Sequence, residues 1–221
     1  MSKFKALILG SLLLVPVFVF IFISTFGEHH FGLRTYFPVT TQDGKIKTTA
    51  EGDTIFRQVP DFNLITQTNQ NLSQNDLTDG VYVASFMYTS CPDICLKTTS
   101  QLVRLHEAFA DVPGVKFVSF TVDPANDSVP VLKAFADKYG ADAKRWFFLT
   151  GTAEEINNVA TEGFYTSINK LTTGEIIHSE KFFLVDKDKR VRGIYQGTDA
   201  KETDRLKLEI NVLLDGYSKS K

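Results

Sequence analysis

The stretch Val81-Tyr82-Val83-Ala84-Ser85-Phe86-Met87-Tyr88-Thr89-Ser90-Cys91-Pro92-Asp93-Ile94-Cys95 decides how the chain is read. Asp79-Gly80 breaks the chain before it. The run 81–86 is apolar and bounded by turns, which predicts a strand buried on both faces. After Cys95, Leu102, Leu105 and Phe109 recur at i, i+3 and i+7 and predict a helix to about Ala110. Cys91 and Cys95 are the only cysteines in 221 residues. They sit where a strand hands over to a helix. With the helix starting near Pro92, whose missing N–H costs nothing in a first turn, Cys91 lies at the N-terminus. Unpaired N–H groups and the helix dipole there favour a thiolate. Cys95 is one turn on and on the same face, so the two sulfurs can bond each other or share one ion. Asp93 opposes thiolate formation while suiting a helix N-terminus.

Outward from this stretch the chain alternates. Phe62, Leu64 and Thr66 read as a strand, and Ser73 caps a single turn to Leu77. Val115 to Thr121 is a second apolar strand, followed by a helix capped at Asp127 or Ser128 with Leu132, Phe135, Ala136 and Tyr139 on one face. Trp146 to Leu149 is a short strand, Thr152 caps a helix from Ala153 to about Glu162, and Phe164 to Ile168 is expected to extend. Phe182–Val185 and Val191–Tyr195 flank Lys187-Asp188-Lys189 as a hairpin, and a last helix starts near Asp199. The order β, βαβα, βα, ββα implies parallel strands flanked by helices, with antiparallel strands added at the end. The expected fold is α/β: a thioredoxin-like mixed sheet flanked by helices, preceded by one N-terminal transmembrane helix.

That last element rests on residues 6–27, which carry no charge and are rich in Leu, Val, Ile and Phe. At about 1.5 Å per residue they span roughly 33 Å, enough for a bilayer core. Lys3 and Lys5 precede the run and Glu28 follows it, so the positive-inside bias places the N-terminus in the cytoplasm and the domain on the extracytoplasmic, periplasmic side. The run has no Ala-x-Ala ending and no cysteine at its end, which argues against a cleaved signal or a lipid anchor. The expected organisation is 1–5 cytoplasmic, 6–27 anchor, 28–57 linker and 58–221 domain. No internal repeat stands out. A net charge of −2 gives no basic footprint for nucleic acid.

Outside the membrane an unprotected thiol pair tends to oxidise, so a working dithiol there needs a reductant, a bound metal or a use for the disulfide. Three residues between the cysteines, where thioredoxin-type redox motifs have two, leave room for a metal. Two thiolates satisfy Cu(I), and an added nitrogen holds copper in both oxidation states; zinc wants four ligands. His106 lies eleven residues past Cys95, about 16 Å along a helix, and cannot share its ion. His178, just before the strand 182–185, can converge on the motif, although a lone histidine is more often a satisfied polar residue. His29 and His30 read as a solvated pair beside the membrane. Metal binding, thiol–disulfide exchange and a plain structural disulfide all remain open on these grounds.

The run Thr89-Ser90-Cys91-Pro92-Asp93-Ile94-Cys95 resembles the copper motif of the Sco (SenC) family of membrane-anchored, thioredoxin-like proteins. Phe120-Thr121-Val122-Asp123-Pro124, Val131-Leu132-Lys133-Ala134-Phe135 and Arg145-Trp146-Phe147-Phe148-Leu149-Thr150-Gly151 are similar to its middle section. His178-Ser179 with Phe182-Phe183-Leu184-Val185-Asp186 resembles its histidine block. The likeness covers roughly residues 58 to 215. Leu96 stands where the family often has proline. The resemblance implies that Cys91, Cys95 and His178 bind copper and that the protein serves the binuclear copper site of cytochrome c oxidase, by metal delivery or by reducing that site's cysteines. It implies the copper-site subunit as partner, with a thioredoxin-like reductant or another copper chaperone beside it. The leading reading is a copper-binding assembly factor, and whether the protein is an enzyme stays open. The enzyme alternative is an envelope thiol–disulfide oxidoreductase using Cys91 and Cys95. Asp123 is expected either as an acidic neighbour of the site or as an Asp-Pro turn residue.

Overall fold

The apolar run forms strand β3 (Val81–Met87), and every residue in it is buried. The structure is a computed structural model that describes residues 12, 14–22, 32–92, 94–172 and 176–219. Around β3 stand β1 (Asn63–Thr66), β2 (Asn71–Ser73), β4 (Val115–Thr121), β5 (Trp146–Thr150), β8 (Lys181–Val185) and β9 (Val191–Gln196). They form one sheet in the order β2-β1-β5-β4-β3-β8-β9. β3, β4 and β5 run parallel, while β1 and β8 join them antiparallel. A separate hairpin pairs β6 (Asn169–Lys170) with β7 (Ile176–Ile177). The helices are α1 (Ile94–Ala108), α2 (Val129–Lys138), α3 (Ala153–Asn158), continued by a π turn over Val159–Gly163, and α4 (Ala200–Lys219). The mixed sheet flanked by helices is the one the alternating pattern predicts.

β3 and β4 pair residue for residue from Val81↔Val115 to Met87↔Thr121, so both strands end at one level. Gly80 makes the start of this register possible. A Cβ there would lie 2.0 Å from the Gly114 carbonyl oxygen. Side chains alternate across the sheet. On one face Phe86, Phe120 and Phe183 meet Phe62 and Phe164 in edge and stacked contacts. On the other, Phe117, Trp146 and Phe148 pack against His106 of α1 and Phe135 of α2.

Three local expectations change. Phe164–Ile168 is not a strand: Phe164 closes the π turn and is buried against Phe86 and Phe183. Its apolar character serves the core rather than a ladder. Residues 32–57, expected as a linker, are hydrogen-bonded onto the domain. Tyr36 N–H donates to the Val191 carbonyl at 2.8 Å, and the Arg192 guanidinium donates to the Leu33 and Arg34 carbonyls. Within this segment Val39 donates to Ile55, Ile55 to Lys47 and Lys47 back to Val39, a closed ring of backbone bonds 2.8–3.0 Å long. Its two turns repeat Thr-Thr-x-x-Gly at Thr40–Gly44 and Thr48–Gly52, with both glycines at positive φ (78° and 93°). This eight-residue repeat corrects the expectation that none is present.

The chain divides into two units, Met1–Phe31 and Gly32–Lys221. In the first, residues 14–22 are helical and exposed. Among the described residues no helix is long and apolar enough to cross a membrane. The rest of the expected anchor 6–27, with His29 and His30, lies outside the described residues, as does Asp93.

Candidate metal centre

At the level where β3 and β4 end, the chain leaves β3 through Tyr88, Thr89 and Ser90 and reaches Cys91. Cys91 N–H donates to the Tyr88 carbonyl at 3.3 Å, closing a tight turn. This loop is held from the neighbouring strand. Val122 N–H donates to the Met87 carbonyl at 2.8 Å, adding one bond beyond the β3–β4 ladder. Asp127, only 1% exposed, accepts from the Thr89 backbone N–H at 3.1 Å. Its carboxylate also accepts short bonds from the Thr89 and Thr121 hydroxyls. The sequence offered Asp127 as a helix cap, yet Ser128 holds the N-cap position of α2. The carboxylate underpins the cysteine loop instead. The signal that finds it is the equal length of β3 and β4, which brings the residues following both strands side by side.

Cys95 is the second residue of α1 and is 2% exposed. Both cysteines are buried free thiols. His178 follows β7 and reaches them from the far side of the chain. Its Nε2 is 3.5 Å from Cys95 Sγ. Its Nδ1 is 2.9 Å from the Ser179 carbonyl, which only accepts, so the ring proton sits on Nδ1. That leaves the Nε2 lone pair facing the sulfurs, with the second nitrogen anchored as in metal-ligating histidines generally. Tyr88 packs edge-on against the imidazole, ring centroids 5.6 Å apart. One ligand atom from each of Cys91, Cys95 and His178 lies within 4.8 Å of the others. Among the described residues this is the one such group of metal-ligating side chains.

Burial sets the electrostatics. It pushes the Cys95 thiol up, and the hydrogen-bonded Cys91 beside it adds to the effect. Burial also lowers His178, partly opposed by the Ser179 carbonyl, which keeps the imidazole neutral at neutral pH. A Cys95 thiol held protonated by burial, next to a neutral imidazole, releases its proton when a cation takes its place. Two soft sulfurs and one imidazole suit copper in both oxidation states, and three donors fall short of the four a closed zinc site wants. Tyr88, Pro92, Ile94, Ile177 and Glu180 line a hollow of about 300 Å³ around Cys91 and His178, so the group is reachable from outside.

The other candidates fall elsewhere. His106 is buried against Phe117 and Trp146, as a packed histidine far from the sulfurs. Asp123 is not a member of the Cys–Cys–His group. It forms the turn after β4, its N–H donating to Thr121 Oγ1 and its carboxylate accepting from Asn126 Nδ2 at 2.7 Å.

A family profile described as SCO1/SenC matches residues 50–212. The SCO1 protein homolog of Bacillus subtilis (strain 168) is 34% identical over 151 residues, covering 66% of this chain and 78% of that protein. A putative copper-binding protein of Stutzerimonas stutzeri is 29% identical over 154 residues, 62% of this chain and 68% of the relative. The solved structure of BsSco, described as having a disulfide switch and as a member of the Sco family of cytochrome c oxidase assembly proteins, matches with a TM-score of 0.64 and 31% identity over 70% of this chain and 92% of that one. The mixed sheet of residues 63–196 with its flanking helices is the thioredoxin-like fold of these relatives.

Proposed function

The chain belongs to the SCO1/SenC family, and from that premise we propose that it binds copper through Cys91, Cys95 and His178 and assists assembly of the binuclear copper site of cytochrome c oxidase. The observation that carries the reading is the convergence of two thiols and a neutral imidazole within 4.8 Å. Cys91 and Cys95 supply soft sulfur for Cu(I), and His178 Nε2 supplies the nitrogen that extends the set to Cu(II). When bound, copper is the cargo handed to the partner. The protein's own part is to present the sulfurs at the fixed end of β3, keep the imidazole unprotonated, and leave the hollow open to the copper-site subunit. The uncharged run 6–27 is the proposed anchor, placing the domain on the periplasmic side. A thioredoxin-like reductant or a second copper chaperone is the proposed partner that keeps the thiols loaded or reduced.

Copper titration of the full-length protein tests this. Reduced protein is expected to bind one equivalent, and Cys91→Ser or Cys95→Ser to abolish it. Stoichiometric binding that survives loss of both cysteines rejects the proposal. A second reading, thiol–disulfide exchange with a partner, is favoured by the free, adjacent state of the two thiols and by the disulfide switch described for BsSco. Rapid cycling against a partner disulfide that is indifferent to His178→Ala selects it over copper delivery.

A further inference from the structure

A cavity of about 550 Å³ opens beside the proposed copper centre, and Ile176 borders both it and the hollow that holds Cys91 and His178. Its walls are largely apolar, with Val122, Ile156 and Ile168 prominent. Into this surface the chain sets a carboxylate. Asp123 is 7% exposed. One oxygen, Oδ2, accepts from Asn126. The other, Oδ1, has the Lys170 ammonium 4.0 Å away, beyond hydrogen-bonding distance, and that lysine side chain is 59% exposed at the cavity edge. A buried carboxylate is costly unless a cation and hydrogen bonds compensate it. Among the described residues no hydrogen-bond donor reaches Oδ1, and Asp123 lines the cavity.

We propose that this cavity receives a basic side chain, lysine or arginine, from the protein partner that docks over the metal centre. The aliphatic stem packs on Val122, Ile156 and Ile168, and the charged head meets Asp123 Oδ1, displacing Lys170 toward solvent. Apolar walls with one buried charge match an amphipathic cationic side chain better than a small inorganic cation, which offers nothing to the walls. An anionic ligand drawn by Lys170 is the weaker match, because the lysine is at the rim and the carboxylate is inside. That the partner is the one facing the copper centre rests on the function proposed above, since the shared Ile176 wall places any chain docked over Cys91 and His178 beside this cavity.

The test is an amide NMR titration of the full-length protein in detergent with n-butylammonium, butyrate and n-butanol. Wild type, Asp123→Asn and Lys170→Ala are compared. Butylammonium is expected to shift the resonances of Val122, Asn157, Ile168 and Ile176. Its affinity falls about tenfold in Asp123→Asn, the scale of one charge-assisted hydrogen bond. It rises several-fold in Lys170→Ala, which removes the competing ammonium from an exposed position and does not threaten folding. Butanol binds more weakly and equally to wild type and Asp123→Asn. The proposal is overturned if butyrate binds more tightly than butylammonium, if butylammonium ignores both substitutions, or if no lining resonance moves. Copper titration of the same samples separates the two readings. Amine binding without copper binding rejects the copper function alone, and copper binding without amine binding rejects this cavity assignment alone.

Discussion

The two halves of the proposed copper centre are built differently. The sulfurs come from a loop tied to the ends of two long, fully paired strands and pinned by Asp127. The nitrogen comes from a segment after a hairpin with only two residue pairs, Asn169↔Ile177 and Lys170↔Ile176. Both cysteines are buried, while His178 is half-buried. A donor set split this way fixes the sulfur pair and holds the imidazole lightly. In the proposed centre the sulfurs would carry Cu(I), and the histidine would matter most when the metal prefers a third, nitrogen ligand.

The sharpest way to break this contrast is to remove a sulfur. Cys91→Ser or Cys95→Ser is expected to abolish copper binding by competition titration, an effect beyond the roughly 10–100-fold cost of losing a supporting group. His178→Ala comes next. It is expected to weaken Cu(II) more than Cu(I), read by electron paramagnetic resonance and by a Cu(I)-chelator competition. Equal loss for both ions would make the two halves equivalent. Third is Asp127→Ala, which leaves the half-buried Thr89 N–H and the buried Thr121 hydroxyl without their acceptor. About 1–3 kcal/mol of stability per orphaned group is the expected cost, seen as a lower urea midpoint at unchanged slope. No change would mean the sulfur loop does not depend on that carboxylate.

A smaller effect concerns pH. Burial lowers both His178 and His106, the latter also facing Arg145. Below the unfolded histidine value of about 6.5, the unfolded chain binds more protons than the folded one, so stability falls as pH falls. His106→Leu removes one of these groups far from the sulfurs and is expected to flatten the decline between about pH 7 and 5, measured by urea midpoints. The smallest effect is Lys170→Ala. Its contact with the buried Asp123 is 4.0 Å long and the lysine itself is exposed, so its loss is expected to shift folding stability by less than about 1 kcal/mol.

What sequence made legible, and what it hid, divides along the same line. The apolar runs 81–86 and 115–121 read as buried strands because unbroken hydrophobicity between turns has few other uses. Cys91 and Cys95 announced themselves by rarity and spacing. His178 was placed by the expected topology and its family likeness, since spacing alone leaves a lone histidine ambiguous. Asp127 was hidden because its role depends on two strands ending at one level. Asp123 fits both a turn residue and an acidic neighbour in sequence; it lies in the turn and borders a cavity beside the proposed centre. Residues 32–57 were hidden because their order comes from a ring of backbone hydrogen bonds and from Arg192, which leave no apolar periodicity. Phe164 is ambiguous in sequence because one aromatic residue serves a strand or a core-facing helical turn equally well.

The most direct test of the central claim is X-ray absorption at the copper edge on the loaded full-length protein, wild type beside His178→Ala. The account predicts two sulfur scatterers in both proteins and an imidazole contribution in wild-type Cu(II) that vanishes in the variant. A first shell without sulfur, or an imidazole signal that persists in His178→Ala, would contradict it.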